Sequence, residues 1–148
     1  MILRLIPILL LMLMSLSTFA EAVEGACFAE ASKRYLIPES VLRSISFVES
    51  GGKPIALNRN ANGSFDIGHM QINSSWLPVL ARFGIKPEQL YDACTNTLVG
   101  AWILAQNIQR HGYTWQAIGA YNAHSPIKQA VYQRKVAKAL YGRKGLIN

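Results

Sequence analysis

One of the eight acidic residues in this 148-residue chain stands where a carboxylate is not expected. Between Pro38 and Ser50, the residues Val41, Leu42, Ile45 and Val48 recur at helical spacing. At 3.6 residues per turn they fall within an arc of about 120°. Glu49 falls inside the same arc, beside Leu42 and Ile45. A carboxyl group on a core-facing stripe loses hydration, which favours its protonated form. The negative end of the helix dipole acts in the same direction. Gly51-Gly52 follows with no side-chain bulk, so a ligand can approach closely. An acid that keeps its proton near neutral pH at the lip of a cleft suits general-acid catalysis. The competing reading turns Glu49 outward at a fraying helix end, and periodicity leaves both open.

The other acidic residues offer little. Glu24, Glu30 and Glu39 belong to helix first turns or exposed faces, and Glu88 and Asp92 to a short polar turn. Only Asp66 lies in the irregular stretch after Glu49. It either organises that stretch by hydrogen bonds or pairs with Glu49 as the second carboxylate of a glycosidase. In the first case the chemistry must run on one carboxylate. His69, His111, His124 and the two cysteines show no ligand spacing, so no metal centre is expected.

The elements that must position these residues are mostly helices. Glu24 to Leu36 places Cys27, Phe28, Ala31 and Tyr35 at helical spacing until Ile37-Pro38. Pro38 fits the first turn of the helix that carries Glu49, with Glu39 suited to the dipole. Residues 51–73 are rich in Gly, Asn and Ser and read as a long loop, with a small hairpin signalled by Asn62-Gly63. Ser74 or Ser75 is positioned to cap a helix through Trp76, Leu77, Leu80 and Phe83, with Pro78 near its start and Gly84 at its end. Pro87 to Asp92 forms a short turn. Thr95 or Asn96 opens a long helix with Leu98, Val99, Trp102, Ile103 and Ile108 on its apolar face, ending at His111-Gly112. Thr114 caps the next, through Ala117, Ile118 and Tyr121. Ser125-Pro126 opens the last, with Val131, Tyr132, Val136 and Leu140. Trp76, Trp102 and Trp115 read as core before sugar platform.

Met1 to Arg4, the apolar run Leu5 to Leu13 and Ala20-Glu21-Ala22 have the layout of a secretory signal peptide. Cleavage after Ala22 leaves residues 23–148 as one domain; cleavage after Ala20 fits nearly as well. The apolar run is short for a membrane span, and no later stretch could make one. Removing the leader leaves the net charge at +7. Low Pro and Gly with high apolar content exclude a disordered chain. In an exported chain, two cysteines point to one disulfide between Cys27 and Cys94, against two separate buried thiols. Lys128, Arg134, Lys135, Lys138, Arg143 and Lys144 make the C-terminal part basic. That is either a solvated helix face or an attraction for an acidic polymer; no nucleic-acid motif accompanies it.

Three segments in order resemble a known family: Glu49-Ser50-Gly51-Gly52, then Gly68-His69-Met70-Gln71-Ile72-Asn73, then Ala120-Tyr121-Asn122-Ala123. Together they are similar to the soluble lytic transglycosylases, over roughly Cys27 to Tyr141. The small size, the early Cys27 with Cys94, and Gly63-Ser64 with Asp66-Ile67-Gly68 look like the specialised members that serve type III and type IV secretion, conjugation and type IV pili.

The resemblance implies an all-α, lysozyme-like domain of the α+β lysozyme superfamily, with the Gly/Asn-rich stretch as a loop or hairpin insert. It implies cleavage of the β-1,4 bond between N-acetylmuramic acid and N-acetylglucosamine in peptidoglycan, with 1,6-anhydro ends and no cofactor. It carries the catalytic acid onto Glu49 and substrate contacts onto Ser50, Met70, Gln71, Tyr121 and Asn122. It also implies action on peptidoglycan glycan strands near components of a secretion, conjugation or pilus machine; the leader points to the periplasm or to secretion, and a monomer is expected. Two positions depart from the family pattern. His69 replaces an apolar residue, often leucine, and His124 replaces a glycine.

Overall fold

A computed structural model describes residues 26–142. The leader, the helix start expected at Glu24, and Arg143 and Lys144 lie outside the described residues. The first helix, α1, runs Phe28–Tyr35 between two left-handed residues, Cys27 (φ 50°) and Leu36 (φ 56°). Pro38 then enters α2, Glu39–Ser50. Gly51 ends α2 with φ 68°, a conformation that glycine adopts without penalty. Its N–H bonds the Phe47 carbonyl and the Gly52 N–H bonds that of Ser46, which satisfies the orphan carbonyls of the last turn. The helix that carries Glu49 is therefore closed firmly rather than frayed.

The Gly/Asn-rich stretch folds as more than a hairpin. Leu57–Arg59 (β1), Phe65–Ile67 (β2) and Ile72–Asn73 (β3) form a three-stranded antiparallel sheet in the order β1-β2-β3. Asn58 pairs with Asp66 and Leu57 with Ile67; Asp66 pairs in turn with Asn73. Asn62-Gly63 makes the β1–β2 turn, with Gly63 at φ 84°. The sequence does not announce the sheet because β1 is exposed throughout and β3 is two residues long.

A 3-10 turn at Ser74–Trp76 leads into α3, Leu77–Ala81, with Pro78 in its first turn. The cap there is Asn73, which accepts from the Ser75 N–H, rather than a serine. A second 3-10 turn spans Pro87–Tyr91. The long helix α4, Ala93–His111, begins two residues before its expected start because Asp92 accepts from the Thr95 N–H. Helix α5 is Trp115–Asn122, capped by Thr114 as expected, and α6 is Pro126–Gly142.

Helix α4 packs between α1 and α5, and α6 lies across α5 and α2. Being central, α4 buries Asn96, Thr97 and Asn107 as well as Val99, Ile103 and Leu104. The core is completed by Leu42 and Ile45 of α2, Ile67, Met70 and Ile72 of the sheet region, and Tyr132 and Val136 of α6. Trp102 meets Trp76 edge-on at 5.4 Å, both packed against the core. Trp115 is exposed and tilts against Tyr141. The Cys27–Cys94 disulfide joins the start of α1 to the first turn of α4. None of the described helices is long and apolar enough to cross a membrane.

Candidate active site

Glu49 stays on the inner face of α2 and meets α6. The Tyr132 hydroxyl donates to Glu49 Oε1 at 2.6 Å, and the Asn122 side chain, at the last residue of α5, adds a second hydrogen bond. Burial raises the Glu49 carboxyl to about 7, because desolvation penalises the charged form. The Tyr132 and Asn122 hydrogen bonds and the Lys135 ammonium pull down against it, while the Asp66 charge pushes the same way as burial. Burial and the Glu49 charge hold the Tyr132 phenol well above its ordinary value, so it remains a donor. Around the acid opens a cleft of about 330 Å³, lined by Val48, Glu49 and Asn122 and by Ile127, Lys128, Val131, Tyr132 and Lys135 of α6. A larger cavity of about 430 Å³, with Tyr35, Phe83, Leu98 and Trp102 in its walls, presents no carboxylate.

Residues 68–71 are clamped by side chains from three helices. Asn96 of α4 accepts from the Met70 N–H at 2.8 Å and donates to the carbonyls of Ile67 and Leu90. The Ser50 hydroxyl donates to the His69 carbonyl at 2.8 Å and accepts from the Lys53 N–H. The Tyr121 hydroxyl donates to the Met70 carbonyl at 2.9 Å. Met70 is fully buried, and its sulfur lies so near Gly100 that a β-carbon there would meet it at 2.6 Å. What Met70 brings to the site is therefore its carbonyl, not an open side chain. Gln71 takes φ 52°, a costly conformation for a non-glycine residue. Its amide donates to the Gly68 carbonyl and accepts from Asn58 Nδ2 at 2.6 Å, tying β1 to the turn.

His69 sits in the same clamp. Its Nε2 is 3.0 Å from both the Ala93 carbonyl and Thr97 Oγ1, and Nδ1 is 2.7 Å from Ser46 Oγ. A carbonyl can only accept, which places the proton on Nε2 and leaves Nδ1 to accept from Ser46. Burial draws the imidazole below its ordinary value against the pull of the Ala93 hydrogen bond, so the ring is neutral. Its edge also meets Phe28 at 5.6 Å. His124 is exposed in the short α5–α6 connection, where Ala123 is extended and the chain turns directly into α6. Asp66 accepts from Asn60 and Asn73, one to each oxygen, at 2.9 and 2.7 Å. Glu30 stands beside the disulfide sulfurs, but the bridge leaves no thiolate for a metal.

The profile of the transglycosylase SLT domain family matches residues 26–140. The chain belongs to the transglycosylase SLT family. Among curated relatives, the invasion protein IagB of Salmonella typhimurium is 39% identical over 78% of this chain and 72% of its own length. The X polypeptide of Escherichia coli is 38% identical over 86% of this chain and 75% of its own. Protein IpgF of Shigella flexneri is 37% identical over 79% and 78%.

Of the candidate residues, the structure gathers Glu49 and Asn122 at the cleft. Ser50 and Tyr121 do not line it but hold the His69 and Met70 carbonyls, Met70 is buried in the core, and Gln71 lies in the sheet turn. Tyr132 escaped sequence reasoning as a site residue, since its spacing reads as core, and it is indeed buried. The available signal was its hydroxyl, which needs a partner when buried. Asn96, a polar residue on the long apolar helix, carried the same signal. Val131, expected inside, is half-exposed on the cleft.

Proposed function

We propose that this SLT-family chain is a lytic transglycosylase that cleaves the β-1,4 bond between N-acetylmuramic acid and N-acetylglucosamine and leaves 1,6-anhydro ends. One observation carries the reading. Glu49 is the carboxyl group lining the cleft, and its pKa of about 7 lets it give and retake a proton near neutrality. Glu49 protonates the glycosidic oxygen as the bond to C1 of the muramic acid breaks. Positive charge develops at C1, with the sugar's own N-acetyl group assisting. Glu49, now a carboxylate held by Tyr132 and Asn122, takes the proton from the C6 hydroxyl of the same sugar, and O6 closes onto C1. One bond breaks, one forms, and Glu49 ends as it began. The tethered hydroxyl loses little entropy in reaching C1. Asp66, with both oxygens engaged by asparagines, organises the sheet beside the acid.

The substrate is the glycan strand of peptidoglycan, met in the periplasm after export by the leader. The proposed role is to open the wall locally for a secretion, conjugation or pilus apparatus, a reading supported by a relative whose name is invasion protein. Mass spectrometry of muropeptides after digestion tests the chemistry. New ends lighter by one water than hydrolysed ends are expected. Predominantly reducing muramic acid ends would replace this reading with a muramidase using Glu49 with Asp66, and no new ends at all would leave a peptidoglycan-binding subunit.

A further inference from the structure

The wall of the cleft facing Glu49 is one side of α6. Lys128, Val131, Tyr132 and Lys135 follow one another at spacings of three, one and three residues and line the cleft with Ile127. The two lysines are seven residues apart, so their Cα atoms are separated by roughly 10 Å along the helix axis at 1.5 Å per residue. Tyr132, which holds the acid, sits between them. Ile127 is 79% exposed and Val131 42%, so an uncovered apolar step lies beside the cations. The ion pairs among the described residues are Arg34–Glu30 and Arg43–Glu39, which leaves both lysines without a carboxylate at salt-bridge distance. Lys128 also stands in the first turn of a 17-residue helix, where the dipole is positive.

We propose that Lys128 and Lys135 bind carboxylates of the peptide stem on muramic acid, so that the cleft selects strands that still carry their stems. This rests on the glycan-cleaving function proposed above. A stem offers both what the wall can hold: carboxylates for the two ammonium groups and an alanine methyl for the apolar step. A stripped strand offers only the compact lactyl carboxylate, next to the sugar ring. When Glu49 is protonated it does not compete with the substrate for the lysines.

The test uses purified exported protein carrying Glu49→Gln, which binds strands without cutting them. Affinity is measured for stem-bearing strands and for strands stripped by an amidase, at low and high salt. In that background, Lys128→Gln with Lys135→Gln should weaken binding of stem-bearing strands on the order of 10-fold and flatten its salt dependence. Stripped strands should bind within about twofold of the parent, since the exposed lysines then lose little. The pair Arg134→Gln with Lys138→Gln removes the same charge from the same helix outside the cleft, and should leave binding unchanged. Melting confirms that each variant is folded. Equal losses on both kinds of strand, or equal losses from both lysine and control pairs, would overturn the assignment. The end-group analysis of the unsubstituted protein stands apart: anhydro ends together with binding indifferent to the lysines would sink this inference and keep the reaction. Failure to bind any strand would sink both.

Discussion

As pH rises from about 4.5 to about 7, an unfolded chain gives up the Glu49 proton that the folded chain retains. The folded state then binds more protons, so stability falls as pH rises through that window and stays lower above it. Glu49→Gln removes this dependence while keeping the shape and the contacts to Tyr132 and Asn122. It should melt higher than the parent above pH 7, by up to about 3 kcal/mol, with the gap closing toward pH 4.5. In the proposed mechanism one residue supplies both the acid and the base, so turnover should fall by about 10⁴-fold or more. A variant that is active, or that melts no higher at alkaline pH, contradicts the assignment. Asp66 contributes by its charge, which raises Glu49. Asp66→Asn should therefore cost far less activity, and should move the alkaline fall of kcat/KM to lower pH. Near-complete loss in both folded variants would point to a two-carboxylate hydrolase.

At the scale of elements, the site depends on how residues 68–71 are held between α2 and α4. His69 does this by joining Ser46 on one helix to Ala93 and Thr97 on the other. His69→Leu puts an apolar side chain in the space of the ring. It leaves the buried Ser46 hydroxyl without its acceptor, an expected loss of about 1–3 kcal/mol. Adding Ser46→Ala removes the stranded donor and should recover most of that. Urea unfolding of both variants checks this. A double variant no more stable than the single would show that the hydrogen bond is not the source of the cost.

For the whole molecule, the disulfide ties α1 to α4 across a sequence separation of 67 residues. In the chain-entropy model such a closure is worth roughly 4 kcal/mol. Cys94→Ser should lower the melting temperature accordingly, and two freely alkylated thiols in unreduced protein would refute the bridge in solution. The pair was legible because two cysteines allow one intramolecular pairing.

Helix order, the long helix and the inward reading of Glu49, as one of two, were legible for a local reason. Apolar spacing, Gly51 and Pro38 act within a few residues of the acid. Asp66 was legible only as an alternative, since its asparagine partners are brought to it by strand register. Cap positions were less clear, because Asp92 and Asn73 compete with Thr95 and Ser75 for the same role. The clamp around residues 68–71 was not legible at all. It joins Ser46, Asn96, Tyr121 and residues 68–71, and no local pattern pairs a serine with a histidine 23 residues away. The partner of Glu49 was hidden for the same reason. Tyr132 lies 83 residues from Glu49, and its spacing marks only that it is inside. That Glu49 is buried enough to hold a proton near neutrality follows from α6 packing against α2. By itself the sequence determined which carboxyl group could serve; the packing of helices distant in the chain decided its protonation, its donors and the lysines beside it.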